Sequence, residues 1–89
     1  MNEALERLRT EIPKYRHGVV RTRTTHLFFP EEHDAIGRWS WCGSTNGKSM
    51  RKVQPADVDY YCEQCLIQLA DHVVRHTPWR ELKPHFRVK

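Results

Sequence analysis

The sequence predicts an α+β fold built from an N-terminal helix, a strand followed by a β-hairpin, and one main helix. Three observations carry that prediction. From Cys62 to about His76, Leu66, Ile67, Leu69, Ala70, Val73 and Val74 recur at helical spacing between Glu63, Gln64, Gln68, Asp71, His72 and Arg75, the division expected of a helix with one buried face. Residues 19–29, "VVRTRTTHLFF", concentrate β-branched and aromatic side chains, which suits a strand. Between "RWSWC" and "KSMRKV" lies "GSTNG", whose Asn46-Gly47 pair tolerates the positive φ of a tight hairpin turn.

The remaining elements follow in chain order. Residues 2–12 are predicted as a short helix, with Asn2 as its cap, Leu5, Leu8 and Ile12 on one face, and Pro13 as its stop. The main helix is expected to end at Thr77-Pro78, and the tail 77–89 shows no regular pattern beyond Trp79, Leu82 and Phe86. At 89 residues the chain is read as a single domain, with a core over about 19–76 and an irregular tail over 77–89.

Composition limits how such a domain holds itself together. Only 38% of residues are apolar and mean hydropathy is -0.79, so the apolar core is thin and a structural metal is the expected staple. The opening "MNEALERLRTEIP" is charged throughout, which predicts neither a signal peptide nor a transit sequence. No apolar run approaches the 18 or so residues that span a bilayer, so a soluble, cytoplasmic protein without a membrane partner is expected. In a reducing compartment three cysteines read as ligands or free thiols, and an odd number cannot pair internally.

The cysteines define the metal chemistry. Cys62 and Cys65 stand three apart at a helix start, so both sulfurs project to one side, and the free N–H groups there favour thiolate. Cys42 supplies a third sulfur, with Gly43 behind it to leave room for backbone N–H groups. A closed structural zinc site needs a fourth ligand. His72 is excluded because it lies about 10.5 Å along the same helix from Cys65 at 1.5 Å per residue, whereas ligands of one zinc sit within about 4 Å of each other. His76 is further still, His85 lies in the tail, and His17 precedes the strand. His26, just before Leu27-Phe28-Phe29, is the best placed, with His33 in the acidic loop "PEEHD" second. The expected site is one structural Zn2+ held by His26, Cys42, Cys62 and Cys65.

With His26 chosen, the pattern "H26-L…W41-C42-G43…C62-E-Q-C65-L66" resembles a group of small one-zinc proteins of actinobacteria and their phages, over about residues 26–70. The resemblance implies one zinc on one His and three Cys and says little about function. Two cysteines on a helix's first turn also resemble a treble clef or zinc ribbon. The departure is a single Cys-Gly in place of a two-ligand knuckle.

Other motifs fail. "GSTNGKS" imitates a phosphate-binding loop, but three residues separate Gly43 from Gly47 where four are needed. No catalytic triad or carboxylate pair is suggested, and four protein ligands leave zinc no open position for water. No enzymatic activity and no small-molecule substrate are expected.

Net charge is +4, unevenly spread. Arg16, Arg21, Arg23, Lys48, Arg51 and Lys52 would gather on the strand and hairpin, where Arg and Lys attract phosphate and threonines offer neutral hydrogen bonds. The expected function is a zinc-binding regulatory protein that binds nucleic acid through this surface, in transcription control. The alternative is an adaptor or inhibitor, phage-encoded, that docks on a larger host enzyme through Trp39, Trp41, Trp79 or Phe86.

Overall fold

A computed structural model describes residues 3–20, 23–29, 40–43 and 50–89. Helix α1 (Glu3–Glu11) tightens into a 3-10 turn over Ile12–Lys14 with Pro13 in it. Strands β1 (Arg16–Val19) and β2 (Thr24–Phe28) follow, then β3 (Arg51–Lys52) and β4 (Tyr60–Tyr61). Helix α2 (Glu63–Val73) and a single-turn helix α3 (Trp79–Leu82) complete the chain, with 3-10 turns at Pro55–Asp57 and Lys83–His85. The α+β class is as expected. Asn2 lies outside the described residues.

The strand expected over 19–29 is two strands. β1 and β2 pair antiparallel, with Arg16 opposite Phe28, His17 opposite Leu27 and Gly18 opposite His26. The two strands therefore run in opposite directions, although "VRTR" between them contains none of the usual turn residues. The pairing expected between the segments around residues 46–47 is corrected too. Ser40 bridges Phe28 of β2, whereas Arg51 and Lys52 pair with Val19 and Gly18 of β1. Among the described residues, Ser40 and the Arg51–Lys52 strand thus lie on opposite sides of the β1–β2 pair, meeting β2 and β1. The turn residues 44–49 lie outside the described residues.

The sheet order is β3-β1-β2-β4, with β4 parallel to β2. Beyond β4 the tail adds a last rung. Tyr61 N–H donates to Arg87 O at 2.8 Å and Lys89 N–H to Tyr61 O at 3.1 Å, around a parallel bridge to Val88. The tail expected to be irregular is therefore folded back onto the sheet.

The apolar stripe of α2 does what its spacing requires. Cys65, Leu66, Leu69 and Ala70 are buried, and they meet Leu5, Leu8 and Ile12 from the first helical segment, Leu27 from β2 and Leu82 from α3. Burying each such leucine contributes on the order of 1.5–3 kcal/mol. The helix ends at Val73 rather than near His76, with Val74 N–H closing on Ala70 O at 2.8 Å.

Candidate metal centre

Strand β2 is the scaffold of the site. His26 stands between Thr25 and Leu27, and in an extended strand the carbonyls of those two neighbours point to the same side. The Thr25 carbonyl accepts Cys62 N–H at 2.8 Å, and the Leu27 carbonyl accepts Trp41 N–H at 3.0 Å. Main-chain bonds on either side of His26 thus bring in the segment carrying Cys62 and the segment carrying Cys42. Cys62 is the N-cap of α2 and Cys65 lies in its first turn.

One donor atom from each of His26, Cys42, Cys62 and Cys65 converges, all lying within 4.8 Å of one another. Cys62 and Cys65 are buried; His26 and Cys42 are half-buried. The histidine nitrogen that faces the sulfurs is Nδ1, 3.4 Å from Cys42 Sγ and 3.7 Å from Cys65 Sγ. These four side chains are the ligand set expected from the sequence. Together they can hold a single metal ion, with three soft sulfur donors and one imidazole. His33 lies outside the described residues.

The surroundings favour negative charge on sulfur. Cys65 shares its proton with Cys62, and this bond, with help from the His26 ring and the Cys65 backbone N–H, brings the Cys62 thiol down to about 4. Its mirror image is Cys65, whose thiol is pushed up because it donates to Cys62 and is buried, while Leu27 N–H works the other way. His26 is pushed up, first by its bond to Cys62 and against the effect of burial. One divalent ion would replace these shared protons and complement all of the donors at once.

Three supporting donors were not foreseen. Ser40 Oγ lies 3.2 Å from Cys42 Sγ, and its hydroxyl donates when the sulfur is a thiolate. Backbone N–H groups of Cys65 and Leu27 are the other two. The spacing Ser40-x-Cys42 was the one visible hint. Gly43 serves differently from expectation. A Cβ there would meet nothing within 4 Å, so crowding is not its reason; its φ of +74° is, as the chain turns with Gly43 N–H on Ser40 O at 3.1 Å.

The predicted basic surface is partly assembled. Arg23, Arg51 and Lys52 are exposed, and Arg51 stands beside Val19, at the end of the sheet where the β1–β2 turn carries Arg23. Arg16 is half-buried and donates from Nε to the Phe29 carbonyl at 2.9 Å, with Nη2 on the same oxygen. Arg21 and Lys48 lie outside the described residues.

Of the suggested aromatic anchors, Trp41 packs against Phe29, His72 and Tyr15, at ring separations of 4.8, 5.4 and 5.7 Å. Trp79 stacks on Phe86 at 6.2 Å and donates Nε1–H to Glu63 Oε2 at 3.0 Å. All three, Phe86 included, pack against the core. Trp39 lies outside the described residues.

Fold and site define this protein as a small α+β domain whose cluster of one histidine and three cysteines is able to hold one metal ion. Comparison with protein-family models, curated proteins and solved structures finds no match to the chain. Among the described residues, no helix is long and apolar enough to cross a membrane.

Proposed function

We propose that this protein is a non-enzymatic regulatory domain, stabilised by one structural zinc ion, that binds nucleic acid through its basic sheet surface and acts in transcription control. The observation that carries the reading is the convergence of His26, Cys42, Cys62 and Cys65 within 4.8 Å. Tetrahedral zinc, with Zn–S of about 2.3 Å and Zn–N of about 2.0–2.1 Å, separates a sulfur from a nitrogen ligand by about 3.6 Å. The two N···S distances of 3.4 and 3.7 Å fall on either side of that value. Four protein ligands close the coordination shell, which suits a structural ion and leaves no position for substrate.

The binding half of the proposal rests on Arg23, Arg51 and Lys52, exposed cations with no ion-pair partner among the described residues. Phosphate contacts by such side chains give binding that weakens steeply with salt. Arg16, held on the Phe29 carbonyl, would act mainly by fixing the ends of β1 and β2.

The test has two parts. Metal analysis of the purified protein is expected to find one zinc per chain, lost in the His26→Ala variant. Duplex binding, followed by fluorescence anisotropy across a salt series, should then fall with salt. Arg23→Ala, Arg51→Ala and Lys52→Ala combined should lower its log–log slope by about 2.7, at 0.9 per phosphate contact. Zinc without salt-sensitive binding, together with capture of one defined protein, would instead favour the adaptor role.

A further inference from the structure

The C-terminal segment forms a second surface that the zinc site and the sheet cations do not account for. A groove lies between β4 and the segment running from α3 to the end of the sheet. It is lined by Tyr60, Arg80, Lys83, Phe86, Arg87 and neighbouring small apolar groups, with no carboxylate in the lining. Tyr60 is the exposed large apolar side chain among the described residues, at 39% exposure. Lys89 adds a cation at this mouth, its Nζ 5.4 Å from the centre of the Tyr60 ring. Lys83 is ion-paired with Glu63 at 3.0 Å, whereas Arg80 and Arg87 have no ion-pair partner among the described residues.

We infer that this groove binds single-stranded nucleic acid, with a base stacked on Tyr60 and the flanking phosphates on Arg80 and Arg87. Unstacked bases and a continuous phosphate chain are what an exposed aromatic ring set among cations recognises. In a duplex the base faces are already stacked inside the helix and the ring has nothing flat to meet. An acidic peptide would satisfy the arginines but give the Tyr60 ring no flat group to stack on.

The walls are tied to the metal centre at one point. Glu63, in the first turn of α2, takes the Trp79 indole N–H at 3.0 Å and the Lys83 ammonium at 3.0 Å. Tyr60 itself precedes the ligand Cys62 by two residues. The groove therefore depends on the fold around the cluster, while its binding chemistry is separate from the Arg23–Arg51–Lys52 surface.

The experiment uses the full, zinc-loaded chain and a labelled oligothymidylate of about 12 nucleotides, within the length one small binding domain covers, read by anisotropy. Binding is expected at low salt, and in the chain that also carries Arg23→Ala, Arg51→Ala and Lys52→Ala it should exceed binding to a duplex of the same length. Tyr60→Ala should lose about 5- to 150-fold in affinity, the range for one stacked base, and Tyr60→Phe should keep it. Arg80→Ala with Arg87→Ala should reduce the log–log salt slope by about 1.4, at 0.7 per contact on a single strand. These side chains are exposed at the groove, and zinc content and circular dichroism check that the variants fold.

The triple substitution at Arg23, Arg51 and Lys52 should leave this binding in place, so failure of the groove and failure of the sheet surface are told apart. The proposal is overturned by any of these results: no binding at low salt, wild-type affinity in folded Tyr60→Ala, or, in the triple-substituted chain, affinity for the duplex or for polyglutamate equal to that for the oligothymidylate.

Discussion

The carbonyl of Thr25 accepts the backbone N–H of Cys62 at 2.8 Å, so a strand near the start of the chain sets the position of the helix that forms most of its core. This bond lies next to His26 and shares its side of β2 with the Leu27–Trp41 bond. The four candidate ligands come from three separated segments, and a metal ion held by them would add a joint where main-chain bonds already converge. Chelation should therefore remove more than local order. Adding a strong chelator is expected to lower the thermal midpoint sharply and weaken the helical circular dichroism signal, with recovery on adding zinc. Cys62→Ser and Cys65→Ser should behave like the chelated protein. An unchanged melting curve after verified zinc removal would sink the structural role of the site.

Leu82 shows how far the tail belongs to the core. Its side chain is 0% exposed and packs in the same cluster as Leu66 and Leu69. Leu82→Ala should cost about 2–5 kcal/mol, as for other fully buried leucines cut to alanine. Urea unfolding of the metal-loaded protein measures it, and a cost below about 0.5 kcal/mol, typical of surface sites, would return the tail to the periphery.

That tail marks where the sequence was hard to read. Its helix is a single turn, too short for a period to emerge from Trp79 and Leu82, and its sheet rung runs through the backbone of Arg87 and Lys89. The split into β1 and β2 was hidden for a related reason, since "VRTR" between them has strand composition and none of the usual turn residues. By contrast, α2 and all four members of the cluster were legible. An amphipathic stripe repeats its signal over several turns, and metal chemistry restricts ligand type and reach so tightly that of six histidines His26 came first, with His33 second. Backbone donors to sulfur carry no residue signature, and only Ser40 among the supporting groups has a side chain to show.

His17 gives a pH dependence of defined sign. It is buried at 3% exposure, with Nδ1 2.9 Å from Tyr15 O and Nε2 3.2 Å from Tyr61 Oη. Burial pushes its pKa below the ordinary 6.5, against the bond to the Tyr15 carbonyl. The unfolded chain thus takes up a proton before the folded one does. Stability from neutral His17 is complete above about 6.5 and is lost as pH falls from there towards the folded value. The metal centre also loses stability in acid, because protons compete for its sulfurs and imidazole. Comparing zinc-loaded wild type with His17→Gln isolates the first effect: the variant should show a shallower fall in unfolding free energy just below pH 6.5. Identical slopes would mean that His17 does not titrate with folding.

The two described glycines near the cluster should respond to alanine for opposite reasons. Gly43 has open space around its Cα but a φ of +74°, so Gly43→Ala should cost about 1–2 kcal/mol from left-handed backbone alone, with Gly43→Asn cheaper because Asn tolerates that region. Gly18, paired with His26 across β1 and β2, has ordinary φ but no room. A Cβ there would overlap Met50 Sδ and come within 3.1 Å of the Phe28 ring. Gly18→Ala should therefore cost about 1–3 kcal/mol by overpacking and shift the strand that carries His26, lowering zinc affinity as well as stability. Met50 is the group that must give way, so Met50→Ala in the same chain should recover part of the loss. The double-mutant cycle should show coupling of about 0.5–3 kcal/mol, as between residues in contact, whereas Gly43→Ala with Met50→Ala should be additive. Additivity at Gly18 and Met50 would show that the methionine does not close over the glycine.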